Sequence, residues 1–335
     1  MGEIDKEVNE LERLRELPIS SEEIGFASDE MSACPKCGRS NSPLRALCMY
    51  CGATLEGSGG GARIDLRELE SWENGFNVFL SMGPSTDMDA AAKQVAGLLN
   101  ANPDWVHSVM NSAKVLPIAR VESEEQAGLI SDKLIGFGIQ TVVLTDEALS
   151  PADPPVRLRS ILFGETELGL TTFGNNQLLK LGNKDLALIV SGVVLQGRTE
   201  SLVKRKRRAT ETVSETQTSS DEAVLDIYSR QDRTGWRVPV TGFDFSCLGH
   251  EKSLFAAENI ESLTRKLAGF APNARVVRDY ANVRTLLENA WPVESRRDSL
   301  GIQRSGIGGK SSSAIYTTNN LVQLTKYSRL QWHLL

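Results

Sequence analysis

The sequence lacks the features that would place it in several large classes. No stretch approaches the roughly 18 consecutive apolar residues of a membrane helix, and no apolar core follows the N-terminal methionine as a secretory signal would require. Histidine is scarce: His107, His250 and His333 are far apart, and none stands four residues from another candidate ligand. Aromatics make up 6% of the chain. The fingerprints G-x-S-x-G, H-E-x-x-H and G-x-G-x-x-G are absent. A spanning protein, a secreted disulfide scaffold and a uniformly basic nucleic-acid coat are not expected. The expectation is a cytoplasmic, non-enzymatic chain for which a small-molecule substrate is not anticipated. Its 335 residues suggest two or three domains.

Charge is present but unevenly placed. The net charge is -6, yet residues 1–31 carry ten acids against Lys6, Arg13 and Arg15. That arm supplies -7, and the remainder of the chain sums to +1. Within the arm, Ile4, Val8, Leu11 and Leu14 recur at helical spacing and stop before Pro18. The spacing predicts one amphipathic helix, either solvated or docked on a partner. At the other end, residues 291–335 hold six cations against Glu294 and Asp298.

Four of the five cysteines form one pattern. Cys34 and Cys37 stand in C-P-K-C-G, Cys48 and Cys51 in C-M-Y-C-G, and ten residues separate the two pairs. Each C-x-x-C turn aims two thiolates at one point. Gly38 and Gly52 follow where the backbone must curl back with positive φ. Two such turns make a tetrahedral S₄ set that fills every position around Zn²⁺ and leaves none for a reactive water. Iron accepts the same ligands and is the alternative. A module this short cannot bury enough apolar surface to fold alone, so the metal would supply most of its stability. Cys34–Leu55 resembles the short zinc-ribbon family common in bacterial and archaeal proteins, which implies a structural zinc. Cys247, in the apolar run F-D-F-S-C-L, reads as a core residue.

Residues 56–62, E-G-S-G-G-G-A, read as a flexible linker within a boundary region 56–74. Over 75–150 the pattern predicts β-α-α-β-α-β. Phe76–Leu80, Val115–Val121 and Ile139–Leu144 are the strands. Thr86 or Asp87, Asn102 before Pro103, and Ser123 at the head of a capping box open the helices, and Gly138 stops the last one. This order resembles the C-terminal domain of the ribosomal stalk protein and the ClpS adaptor, which implies protein binding. A ferredoxin-like or ACT-like layer is the competing architecture.

From 156 to 270 the chain turns to short strands: Val156–Phe163, Glu167–Thr172, Gln177–Leu181, Leu186–Leu195, Ala223–Tyr228 and Gly235–Val240. A helix over Ser253–Phe270 follows. Strands closed by one helix resemble a pleckstrin-homology-like antiparallel barrel with the helix at its open end. The predicted fold class is therefore α+β and multidomain: a zinc ribbon, a β-α-α-β-α-β domain, and a barrel closed by a helix. A further helix over Val276–Ala290 leads to a Ser/Gly-rich basic tail, 292–335, whose apolar-aromatic end is expected to dock.

Two motifs have more than one reading. Lys204, Arg205, Lys206, Arg207 and Arg208 are five consecutive cations. They read as a solvated hairpin loop or as a contact for nucleic-acid phosphates or another anion. Thr210–Ser220 beyond them reads as a mobile loop. Gly306–Ser311 imitates the end of a phosphate loop, but Arg304 stands where that loop needs glycine. The reading is of a zinc-ribbon adaptor with protein or peptide partners; the alternative is a nucleic-acid-associated factor using the ribbon, the basic run and the basic tail.

Overall fold

The computed structural model describes residues 31–335 apart from 43–44, 46–47, 54, 56–63, 65, 71, 82–87, 150–153, 207–208 and 306–308; side chains are described outside 201–215 and 300–312. The expected acidic helix, most of the Gly-rich linker, and the Thr86 or Asp87 cap lie outside the described residues. Two compact units divide the chain, Met1–Ile64 and Asp65–Leu335. The fold is mixed α+β.

In the first unit, β1 (Ser32–Ala33) pairs antiparallel with β2 (Ser40–Asn41). This short hairpin carries the first cysteine turn.

The second unit begins with β3 (Phe76–Ser81), α1 (Met88–Leu99), α2 (Pro103–Asn111), β4 (Leu116–Val121), α3 (Glu124–Gly136) and β5 (Gln140–Thr145). β3 lies between β4 and β5 in an antiparallel sheet. Its Val78, Phe79 and Leu80 are fully buried, as suits the middle strand. The caps behave as expected. Asn102 accepts from the Asp104 backbone N–H at 2.8 Å, Ser123 accepts from Gln126 N–H at 3.2 Å, and Gly138 takes a φ of 80° beyond α3.

A nine-stranded sheet follows as a curled half-barrel. Its strands are β6 (Val156–Phe163), β7 (Glu167–Thr172), β8 (Leu178–Gly182), β9 (Leu186–Lys206), β10 (Ala209–Ser229), β11 (Trp236–Pro239), β12 (Arg275–Val277), β13 (Glu294–Ser305) and β14 (Gly309–Asn319). The main order is β13-β14-β9-β10-β11-β6-β7-β8, with β12 alongside β9. A closed antiparallel barrel is not what forms: β11 runs parallel to β6, β12 runs parallel to β9, and β8 and β13 end the path. The helix α4 (Ala256–Phe270) packs on the sheet as expected, with Ile260, Leu263 and Leu267 in one core with Leu158, Leu170, Ile189 and Ile227.

Strand length is the largest departure from the sequence reading. β9 and β10 span 21 residues each and pair almost throughout. The stretch Thr210–Ser220, expected as a loop, is strand. Its alternating threonines are β-branched and favour extended backbone although neither face is apolar. Lys204, Arg205 and Lys206 consequently lie in strand β9 rather than in a loop. The tail expectation for 292–335 also gives way, because β14 pairs with β9 and β13 pairs with β14. The helix expected over Val276–Ala290 is shorter, α5 (Tyr280–Leu287), because Arg275–Val277 is taken into the sheet as β12.

The chain ends in α6 (Leu321–His333), buried along most of its length despite its polar composition. Many of its polar groups have partners in the surrounding body, which is what makes burial tolerable. Lys326 Nζ donates to Asp146 Oδ1 at 2.6 Å, and Gln323 Nε2 donates to the Trp291 carbonyl at 2.9 Å. Arg237 donates to Thr325 Oγ1 at 3.0 Å, and Tyr327 donates its hydroxyl proton to Asp279 at 2.6 Å. Leu324, Tyr327 and Leu330 supply the apolar packing. At Gly192, in the middle of β9, a Cβ would come within 2.6 Å of Leu324 Cδ1, so glycine there admits the helix. The docked C-terminus expected from its aromatic residues is thus an internal helix.

Asp146 anchors this arrangement. Its carboxylate is 1% exposed and accepts from Lys326, Asn77, Arg120 Nε at 2.8 Å and the Gly75 N–H at 2.9 Å. Asn77 also accepts from Trp291 Nε1 at 2.8 Å, tying the three-stranded sheet to the segment before β13. A second buried pair, Asp226 with Arg237, spans β10 and β11 at 2.6 and 2.7 Å.

Candidate metal centre

The two cysteine turns are built alike. Gly38 N–H donates to the Cys34 carbonyl at 2.8 Å and Gly52 N–H to the Cys48 carbonyl at 2.9 Å. Cys34 N–H reaches the Arg39 carbonyl and Cys48 N–H the Ala53 carbonyl, at 2.9 and 2.8 Å. Gly38 and Gly52 adopt φ of 70° and 71°, the left-handed conformation anticipated from the sequence. A residue with a Cβ would be strained at either place.

These turns bring the sulfurs of Cys34, Cys37, Cys48 and Cys51 within 4.8 Å of one another. Cys34 and Cys51 are 3.6 Å apart, Cys37 and Cys48 3.5 Å. A tetrahedral ion with metal–sulfur bonds of about 2.3 Å would set sulfurs about 3.8 Å apart, so the group is sized to hold one metal ion. Cys34 and Cys48 are buried against Leu55, with Cys51 and Ala53 packed alongside, and Cys37 is exposed.

Electrostatics point the same way. Burial pushes the Cys48 thiol up. The Tyr50 and Cys51 backbone N–H groups, the Cys37 thiol and Asn41 outweigh it and bring Cys48 down to about 6. At Cys37 the Arg39 backbone N–H favours the thiolate, but desolvation and the three neighbouring sulfurs push it up to about 12. Four sulfurs this close cannot all ionise unless a cation sits among them.

Asn41 is a supporting residue that the cysteine spacing did not disclose. Its Nδ2 lies 3.5 Å from Cys48 Sγ, and its Oδ1 accepts the Met49 N–H at 3.0 Å. Its place in S-N, four residues after Cys37, carries no signal that distinguishes it from a surface asparagine. Arg39 lies over the Tyr50 ring at 4.7 Å, joining the first turn to the second. Met49 and Tyr50 themselves are 59% and 50% exposed.

The other candidates are placed as follows. Lys204, Arg205 and Lys206 lie in β9, opposite Glu211, Thr210 and Ala209 of β10. Arg207 and Arg208 lie outside the described residues. Cys247 is partly buried against the large core, and burial pushes its thiol up. Gly309 to Ser311 begin β14, and 306–308 lie outside the described residues. Among the described residues, Cys34, Cys37, Cys48 and Cys51 are the one group of three or more His, Cys, Asp or Glu positioned for a metal ion. No helix among the described residues is long and apolar enough to cross a membrane. The chain matches no protein-family model, no curated protein and no solved structure.

Proposed function

We propose that this chain is a non-enzymatic adaptor in which a structural Zn²⁺ holds the cysteine module as a rigid surface for a protein or peptide partner. The observation that carries the reading is the four-sulfur set with Met49 and Tyr50 turned outward from it. Four thiolates fill a tetrahedral shell, so the ion stabilises fold instead of activating water. Zinc suits a closed S₄ set with no redox task, and the likeness to short zinc ribbons supports the same ion. Two adjacent exposed apolar side chains on a metal-braced turn cost solvation in the free protein and gain when a partner covers them.

The test is affinity capture with the full zinc-loaded chain against M49E/Y50E. The reading expects specific proteins recovered by the parent and lost with the variant while both retain one zinc. Identical recovery removes the cysteine module from partner binding.

A second reading, a nucleic-acid-associated factor, is favoured by one observation. The register of the long strands sets Arg205, Lys310 and Arg304 side by side on β9, β14 and β13, gathering cations that are a hundred residues apart in sequence.

A further inference from the structure

Resting on that second reading, we infer that one face of the four-stranded ribbon β13-β14-β9-β10 binds the backbone of a single-stranded nucleic acid. Beyond Gln196 the two long strands leave the main core and pair only with each other and with β14, which in turn pairs with β13. The described ribbon positions Arg198, Glu200, Thr216, Thr218, Arg296 and Arg297 are all exposed. The described part of the ribbon thus exposes polar side chains on both faces, with Ala314 buried among them.

Register separates the two faces. Positions opposite one another share a face; the face alternates along β9 and β14, and one register shift each in β10 (Thr212/Ser214) and β13 (Ser299/Ile302) changes the parity of those strands. One row is Arg304, Lys310, Arg205 and Thr210. On the same face lies the row Arg297, Tyr316, Thr199 and Gln217. Between them this face gains one acid, Glu215, opposite Ser201. By register position, four cationic residues therefore share this face with a single acidic one. The opposite face holds Lys204, Lys206, Arg198 and Arg296 against Glu200, Glu211, Asp298 and Glu294, and is neutral. There Arg198 pairs with Glu200 at 2.7 Å and Arg296 with Asp298 at 2.9 Å. The basic run is thus split by strand alternation, and only Arg205 of its described members joins the cationic face.

The chemistry of that face selects the ligand. Tyr316 is 39% exposed, with the Arg297 guanidinium 5.3 Å from its ring centre. A ring and a planar cation on a polar sheet give bases a stacking platform, while the other cations meet phosphates. The Arg297 and Arg304 rows are six β9 positions apart, about 20 Å, which spans several nucleotides. Four strands measure about 14 Å across, wider than the roughly 12 Å major groove, so duplex base edges are out of reach. Ser and Thr fill much of the remaining face, which is unlike the apolar surface that enters a lipid layer.

Fluorescence anisotropy of labelled 20-nucleotide oligo(dT) and oligo(U) with the full zinc-loaded chain tests this, titrated with salt from 50 mM. R205E/R304E/K310E reverses three cations of the proposed face; K204E/K206E/R198E reverses three of the other face and makes the same change in net charge. The first variant should bind at least about 30-fold more weakly, and its salt slope should fall by about 2, since each single-strand phosphate contact contributes about 0.7. The second should stay within about threefold of the parent. Y316A should lose at least about fivefold. Equal weakening by both triple variants overturns the face assignment and leaves the nucleic-acid reading in place. No oligonucleotide binding by the parent at 50 mM salt overturns both, as does binding to phosphatidylserine vesicles without oligonucleotide binding. Thermal unfolding of each variant, expected to match the parent, excludes loss of fold as the cause; a lost transition in the first triple variant makes Y316A and single R205E the deciding measurements.

Discussion

Replacing Asp146 by Asn is expected to be among the most damaging conservative substitutions in the unit Asp65–Leu335. The parent carboxylate faces two cations that are themselves nearly buried, Arg120 at 6% and Lys326 at 8% side-chain exposure. Asparagine keeps the shape, but it removes the charge and presents an amide donor to a site lined by donors. Removing one partner of a buried ion pair costs about 3–5 kcal/mol. For a unit of this size, at about 2 °C per kcal/mol, the midpoint of thermal unfolding should fall by roughly 6–10 °C. Lys326→Met provides the control. It leaves Asp146 paired with Arg120, a neutral set, and should cost less than D146N. The double variant D146N/K326M should be more stable than the two separate losses add up to, by about 1–3 kcal/mol. Urea unfolding followed by circular dichroism supplies all four free energies. A D146N loss below about 1 kcal/mol, a K326M loss equal to it, or strict additivity would refute the assignment of Asp146 as the anchor.

The same group sets an acid dependence. Burial pushes the Asp146 carboxyl up, but the Lys326 charge and hydrogen bond, with Asn77 and Arg120, outweigh it and hold it below the usual aspartate range. Its contribution is therefore complete above the unfolded value of about 3.9 and is lost as pH falls through the lower folded value. The stability gap between parent and D146N should narrow over that acid window. Gly192→Ala forces a methyl against Leu324 and Tyr280, at 2.6 and 3.1 Å from its Cβ, and should cost about 1–3 kcal/mol in the same urea experiment. Truncation after Asn319 removes α6 and strands Asp146, Asp279 and Arg237 without their helix partners; loss of a cooperative thermal transition is expected. Cys48→Ser should abolish stoichiometric metal retention measured by elemental analysis, while leaving the thermal transition of Asp65–Leu335 where it was.

The metal centre was the most legible part of the molecule because its geometry is local. Cys-x-x-Cys-Gly dictates a turn, and two turns dictate a cluster, with no long-range packing needed to read it. The elements of 76–145 were legible for a similar reason: Asn102, Ser123 and Gly138 mark helix ends through hydrogen bonds made within a few residues. What escaped was non-local. Thr210–Ser220 looks like a loop because polar strands lack an apolar face, and only pairing with β9 makes the segment extended. The strands β13 and β14 were hidden by their Ser, Gly and Arg content in the same way. For α6, no periodicity announces Lys326 or Arg329 as interior residues. Burial there follows from Asp146, 180 positions earlier, and from the carbonyls around it. Asn41 beside Cys48 belongs to the same class, a role assigned by the fold to an unremarkable residue.

The central claim is that Cys34, Cys37, Cys48 and Cys51 together hold a single closed-shell metal ion. Elemental analysis of the purified full chain, joined to the absorption spectrum after Co²⁺ exchange, tests it most directly. The account predicts one zinc per chain and a cobalt spectrum of tetrahedral all-thiolate coordination, lost on substituting any one of the four cysteines. Iron in place of zinc, a spectrum of mixed or five-coordinate cobalt, or no retained metal at all would contradict it.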